Sequence, residues 1–436
     1  MTIQNYSCAQ LHAACELPTK PLSGLLLSKF VSLFYVLLLS QAAYAQTFSE
    51  LEEKLGSHPQ LQTLGHQRDE RIELSIAALG LPDPVISLGV NNFPFANPSF
   101  SEFIPSNKSI GVSQTVPNIA GRKARSNVAA AQGEELALER QRHFALLRAQ
   151  LITLLLERDR IIKQTQLANE QEHRYQDLLN TSASEVGAGR SMVFRLAEIE
   201  RERAEVSTKI LELNSELDIV KAKLVYLIGK VPITNAPTIN QPLLWSGNND
   251  EFYSVALAKV RVGTHTHKVG EAKAAWKPQW GAQVRYQQRE AGANFAGDDF
   301  VSAMVTLSVP FWSKRNQQPR LRAAESGLGA AKSQYQERIR QAKATYFSLR
   351  SNYQAAKKTE HILNEKINAL LNEINAQQVS YESGENLYSG VIEGQIILTK
   401  LKSDLVNEKT RKDIVSAQID ALFVRGAQTN TIGGGQ

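Results

Sequence analysis

The sequence offers few groups of residues that could bind a metal ion or catalyse a reaction. His265 and His267 stand two positions apart in a helical pattern, a spacing that points their rings in different directions. Both cysteines, Cys8 and Cys15, fall near the N-terminus. Residues 187–191, Gly-Ala-Gly-Arg-Ser, have the glycines of a phosphate-binding loop but lack its lysine and its preceding strand. We therefore predict no enzyme active site, no resident metal ion and no cofactor.

The N-terminus has the pattern of a secretory signal peptide. Two lysines, Lys20 and Lys29, precede an apolar run over residues 30–40, and a small-residue Ala-Tyr-Ala sequence ends at Ala45. We predict that residues 1–45 are removed, because the run is shorter than the roughly 20 residues of a transmembrane helix. The mature chain would then have no disulfide and no thiolate. The net charge of +6 is spread along the sequence, so we predict no nucleic-acid partner.

Two long segments without proline make up most of the chain, Asn118–Val231 and Arg320 to the C-terminus. In the second, apolar residues recur every three or four positions, the period of a coiled-coil seam. This seam comprises Leu321, Ala324, Leu328, Ala331, Tyr335, Ile339, Ala342, Tyr346, Leu349, Tyr353 and Ala356. Each segment has one glycine-containing break, at 187–191 and at 383–386, so each is predicted to form a long helical hairpin.

Four short segments alternate strictly between apolar and polar residues, which predicts β-strands with one apolar and one polar face. They are Val85–Val90, Ser109–Val116, Trp280–Tyr286 and Val301–Val309. In a soluble sandwich the apolar face would be core, whereas in an outer-membrane barrel it would face lipid. Aromatic residues at the strand ends favour the barrel. Four strands cannot close a barrel, so a membrane location would require several subunits, and three copies would supply twelve strands.

The same unit therefore occurs twice, a strand pair followed by a helical hairpin. We predict a first repeat over residues 46–232 and a second over 251–427, each beginning with helix. Residues 233–250, rich in Pro, Asn and Thr, would be a linker. Residues 428–436, which contain three consecutive glycines, would be a disordered tail.

This arrangement resembles the TolC-type outer-membrane efflux factors, and most of all their heavy-metal branch, which works with RND-type pumps. The resemblance extends over about residues 50–426. It is carried by Ser-His-Pro-Gln-Leu at 57–61, by the segment 78–88, and by the strand-to-helix junctions at Val116-Pro117 and Val309-Pro310. It implies an α+β membrane fold, in which a homotrimer forms a twelve-stranded β-barrel in the outer membrane that continues as a periplasmic α-helical barrel.

The resemblance also implies a function and its partners. Members of the family are passive exit ducts of tripartite pumps, with a periplasmic adaptor and an inner-membrane transporter, and they sit in outer-membrane lipid. Metal ions and drugs both remain open as exported compounds. The family meets its adaptor at the hairpin tips, which correspond here to Gly187, Gly189, Arg190, Ser191, Gly384, Glu385, Asn386 and Leu387.

Just beyond these tips the family has acidic residues that narrow the periplasmic entrance. The corresponding positions are Arg195 and Glu198 in the first repeat and Gly390 and Glu393 in the second. Only Glu198 and Glu393 keep the acidic charge, and a ring of such carboxylates would attract cations. The alternative is that both are ordinary solvated glutamates.

A second function from a different class is a periplasmic coiled-coil adaptor or scaffold without a pore. Adaptors have one hairpin, with a lipoyl-like β domain between its arms. Here there are two hairpins, and the strands precede them, so the channel is the favoured interpretation.

Overall fold

The computed structural model describes residues 47–189 and 192–424, so the predicted signal peptide and the predicted tail lie outside the described residues. Within these ranges the helices are α1 (Phe48–Gly56), α2 (Pro59–Ala77), α3 (Ile119–Gly187), α4 (Phe194–Ile228), α5 (Tyr253–Ala274), α6 (Gln317–Glu382) and α7 (Tyr388–Asp420). The strands are β1 (Val85–Asn91), β2 (Asn107–Val116), β3 (Gln279–Gln288) and β4 (Phe300–Ser308). Short 3₁₀ turns occupy Asn249–Glu251 and Ser313–Arg315.

The outgoing helix α3 begins at a side-chain cap. The carboxamide of Asn118 accepts a hydrogen bond from the backbone N–H of Gly121 at 2.6 Å, and Pro117 directly precedes it. With 69 residues, α3 is about 100 Å long. The return helix α4 ends where Gly229 takes a left-handed conformation with φ 79°, and its N–H bonds the carbonyl of Val225 at 2.8 Å.

Buried side chains recur with heptad spacing along both arms of the first hairpin. In α3 they are Leu154, Ile161, Ala168, Tyr175 and Ser182, and in α4 they are Ile199, Val206, Leu213, Val220 and Leu227. A strict seven-residue repeat keeps one stripe of each helix against its neighbour. The seam predicted for α6 is confirmed, because each of its residues is buried or half-buried.

The two hairpins pack against each other as well as internally. Helix α3 contacts both α4 and α7, α6 contacts α7, and α5 lies against α3 and α6. Among the described residues, no helix combines the length and apolar character needed to cross a membrane.

All four strands belong to one antiparallel sheet in the order β1-β2-β3-β4. The two strand pairs join through β2 and β3, where Val112 stands opposite Val284. The sheet therefore unites the two repeats, and its outer edges are β1 and β4.

The apolar face of this sheet is the exposed one. Leu88, Val284 and Val305 expose 79%, 55% and 70% of their surface, whereas the polar face of β3, with Gln283 and Arg285, is half-buried. This arrangement is the reverse of a soluble sandwich, in which the apolar face would be core. Within the described residues, the sandwich alternative is therefore wrong for this subunit.

A buried arginine fixes the segment that links the two repeats. Arg158 of α3 is 6% exposed and donates hydrogen bonds to the carbonyls of Pro232 at 2.7 Å and Thr234 at 2.8 Å. The adjacent Asp159 accepts from Arg158 and from the backbone N–H of Ala236 at 2.9 Å. The linker is thus held to the middle of α3 by charge-assisted hydrogen bonds.

Replacing Arg158 with alanine should destabilise the protein by about 2–4 kcal/mol, because two carbonyls and a carboxylate lose a buried cationic partner. The measurement is thermal unfolding in detergent, together with protease cleavage in the linker. Arg160→Ala is the matched control, since Arg160 bonds Gln164 and Glu216 at a partly exposed site. Equal effects of the two changes would contradict this role for Arg158.

Candidate functional site at the hairpin tips

The tip of the second hairpin is a compact helix stop. The N–H of Gly384 bonds the carbonyl of Tyr381, and the N–H of Glu385 bonds that of Ser380, both at 2.9 Å. These two bonds form a Schellman motif, which requires the left-handed conformation that Gly384 adopts with φ 80°. Asn386 and Leu387 complete an exposed turn before α7 begins.

The first tip also turns at a glycine. Helix α3 ends at exposed Gly187, and Gly189 has φ 72°, with its N–H bonded to the carbonyl of Val186 at 3.0 Å. The predicted tip residues Arg190 and Ser191 lie outside the described residues.

Arg195 connects two of the predicted entrance residues. Its Nη1 donates to Oε2 of Glu198 at 2.6 Å within α4, and its Nη2 donates to Oε1 of Glu393 on α7. The hydrogen bond to Glu198, followed by that to Glu393, raises the pKa of the Arg195 guanidinium. One cation thus lies between two carboxylates, and the cluster keeps a net charge of −1.

A second polar contact joins the two hairpins near the tips. The carboxylate of Glu185, at the end of α3, accepts from the backbone N–H of Ser389 in the first turn of α7 at 3.4 Å. Helix α7 has no side-chain cap of its own at Leu387, so Glu185 supplies a negative group to its N-terminus. Gly390 lies in the same turn and is half-buried.

A groove of about 600 Å³ runs beside the Arg195 cluster, between α3, α4 and α7. Tyr175 lines it next to Glu202, and burial, assisted by the charge of Glu202, raises the pKa of Tyr175 to about 12. Lys400 and Asp404 lie on its α7 side. The contact between Arg195 and Glu393 therefore borders a water-accessible polar groove and is not sealed in a dry core.

Solved structures share this architecture. VceC, an outer-membrane protein of Vibrio cholerae, aligns over 86% of this chain and 95% of its own, with a TM-score of 0.69 and 15% identity. CusC, described as forming a transmembrane channel, aligns over 86% and 91%, with a TM-score of 0.72 and 15% identity. The open-state MtrE outer-membrane channel of Neisseria gonorrhoeae aligns over 86% of this chain and 88% of its own, with a TM-score of 0.65 and 14% identity. The chain has the fold of the TolC-type outer-membrane channels. No protein-family model and no curated protein sequence matches it.

Not all the contacts at the tips of this TolC-type fold were predicted from the sequence. The four entrance positions were named, but not the bridge from Arg195 to Glu393 or the Glu185 cap. The spacing of Arg195 and Glu198 is a recognisable helical i,i+3 pair. The two contacts between hairpins join residues distant in sequence, and no local pattern marks them.

An exposed apolar group at the first tip was also missed. Met192, Val193 and Phe194 expose 69%, 72% and 69% of their surface where α4 begins. Three consecutive apolar residues beside a glycine turn were the available signal. In the part of the chain that the structure describes, no three His, Cys, Asp or Glu side chains are grouped to hold a metal ion.

Proposed function

We propose that this chain is the subunit of a homotrimeric outer-membrane channel, a passive, non-enzymatic exit duct of a tripartite efflux system. The observation that carries the proposal is the reversed sheet, whose apolar face is exposed. Such a face suits lipid, and in lipid the free edges β1 and β4 must be paired, because bare backbone groups there are very costly. Pairing β4 of one subunit with β1 of the next would close three sheets into a twelve-stranded barrel.

The helical hairpins would continue this barrel through the periplasm as an α-helical barrel. At their exposed tips they would bind the periplasmic adaptor, which would connect the duct to an inner-membrane transporter. The resemblance implies a transporter of the RND type. The duct would be gated at the two contacts between hairpins, Arg195 with Glu393 and Glu185 with Ser389. Loosening them would separate the helix ends and widen the entrance. Exported metal ions and drugs are both compatible with this proposal.

The alternative, an adaptor or scaffold without a pore, has less support. A periplasmic scaffold has no need for a sheet that exposes its apolar face, since it is surrounded by water on both sides. Extraction from the outer-membrane fraction and heat-modifiable migration in gels would favour the channel. A soluble monomer would favour the scaffold.

The direct test is single-channel recording of the purified protein in a planar bilayer. A trimeric duct should give discrete conductance steps, and the absence of any conductance from correctly folded trimers would overturn the proposal.

At the entrance, Glu393→Ala should reduce the preference for cations, because the net charge of the Arg195 cluster changes from −1 to 0 in each subunit. The reversal potential in a salt gradient measures this preference. A glutamate on the exposed surface of α4, Glu212, provides the control as Glu212→Ala. An unchanged reversal potential would contradict the role of Glu393 in cation preference but would not contradict the channel function.

A further inference from the structure

The polar face of the sheet carries an unbalanced positive charge. Arg285 of β3 stands on this face, opposite Gly111 of β2 and Ser302 of β4, and Ser87 of β1 continues the row. None of the four strands contains an aspartate or a glutamate. Arg285 is therefore the one charged strand residue on this face.

The neighbours of Arg285 leave its side chain free. A Cβ added to Gly111 would lie 3.5 Å from the Cβ of Arg285 and 2.9 Å from Oγ of Ser87. The residues that flank Arg285 on this face, Gly111 and Ser302, are both small. Within the described ranges, 47–189 and 192–424, its guanidinium has no hydrogen bond or ion pair. An unpaired guanidinium that stands on a polar surface of small side chains can bind a carboxylate or phosphate.

Two carboxylates near the rim of the sheet, Glu290 and Asp299, are engaged elsewhere, whereas Glu102 and Asp298 lie in the loops beyond the strands. Glu290 pairs with Lys108 at 2.8 Å, and Asp299 accepts from the hydroxyl of Tyr286. Tyr286 and Lys108 alternate onto the apolar face, so these acids do not neutralise Arg285.

The second arginine of this region, Arg289, is held by the loops. Its guanidinium lies over the rings of Phe300 at 4.8 Å and Phe295 at 5.4 Å, and it donates to the carbonyl of Ile104 at 3.3 Å. Through these contacts Arg289 holds the neighbouring loops together. They leave Arg285 as the group available to a solute.

The trimer proposed above would bring three copies of Arg285 to one level. Twelve strands about 4.8 Å apart and tilted by about 40° close with a backbone radius of about 12 Å. Arginine side chains pointing inward would then place their guanidinium groups about 10 Å from each other, comparable with the screening length at 0.1 M salt. Their potentials would overlap into one positive ring.

We propose that Arg285 makes the strand-lined part of the duct, at a level separate from the cation-attracting Arg195 cluster, selective for anionic groups, so that the exported compound bears carboxylate or phosphate groups. The inference rests on the proposed function and refines its cargo. A bare divalent cation would be repelled at this level of the barrel.

The test uses the full-length trimer in planar bilayers, with inositol hexakisphosphate as the anionic probe and hexaamminecobalt(III) as the cationic one. Each is added to the side of the β-barrel. We expect the anion to block the current at concentrations at least tenfold lower than the cation. Arg285→Gln should weaken the block by the anion at least tenfold, whereas Arg285→Lys should change it less than threefold.

Two further variants sharpen the test. Lys108→Gln removes the same charge from the opposite face of the sheet and should leave the anion block unchanged. Ser302→Glu places a carboxylate opposite Arg285 and should abolish the block, which keeps the idea testable if Arg285→Gln does not assemble. Equal block by both probes, or an unaltered block in Arg285→Gln and Ser302→Glu, would overturn the anionic cargo while the duct remains. Absence of any channel would overturn the duct and this inference together.

Discussion

A Val305→Arg variant is expected to be lost from the outer membrane. Val305 lies on the apolar face of β4 and is 70% exposed in the subunit, so the proposed barrel would place a charge in lipid. An arginine near the bilayer midplane costs about 2–4 kcal/mol, and a trimer would carry three, a total of about 6–12 kcal/mol. Heat-modifiable trimers in the outer-membrane fraction are the measurement, and we expect at least a tenfold loss.

The neighbouring residue provides a control for this variant. Thr306 is next in the strand and stands opposite Gly281 on the polar face, so Thr306→Arg would direct the same side chain into the lumen. We expect trimers of this variant to assemble at near wild-type levels. Normal assembly of Val305→Arg, or equal loss of both variants, would contradict the assignment of the apolar face to lipid.

Arg195→Ala should open the proposed periplasmic entrance. The change removes the hydrogen bonds to Glu198 and Glu393 and leaves two carboxylates close together, doubling the net charge of the cluster from −1 to −2. A half-exposed ion pair contributes about 1 kcal/mol, so three subunits that open together would lose about 3 kcal/mol. That loss would raise the ratio of open to closed channels about a hundredfold.

Single-channel recording measures this effect as the open probability at low voltage, and the reversal potential should move toward stronger cation preference. The direction is opposite to that expected for Glu393→Ala. Lys221→Ala is the matched control, because Lys221 forms an i,i+3 pair with Asp218 inside α4, away from the groove beside the Arg195 cluster. An open probability that stays at the wild-type value would exclude Arg195 from the gate.

The strands and the long helices could be predicted from the sequence because both leave local periodic patterns. The alternation around Val284 and Val305 located the strands within a few residues, and the seam from Leu321 to Ala356 matches the buried stripe of α6. The helix predicted at the start of the second repeat, residue 251, begins at Tyr253 in the structure, because Asn249–Glu251 forms a separate 3₁₀ turn before it.

The sequence could not show which face of each strand is buried and which is exposed, or how the helices pack against one another. A period of two marks two faces of a strand but does not say which faces water, and only the structure placed Val284 outside. The contacts of Arg195 and Glu185 likewise depend on how α7 packs against the first hairpin. The anchoring of the linker by Arg158 was missed for the same reason, since its carbonyl partners lie more than seventy positions away.

The heptad stripes of α3 and α4 have a consequence for how such a shaft can change in length. Adding or deleting seven residues in one arm, with the same change in the other, returns every buried side chain to an equivalent neighbour. An insertion of one or two residues instead rotates the stripe toward water. The length of the hairpin is therefore adjustable in whole-heptad steps, set by the repeat of Ile161 and Ala168 in α3 and of Val206 and Leu213 in α4.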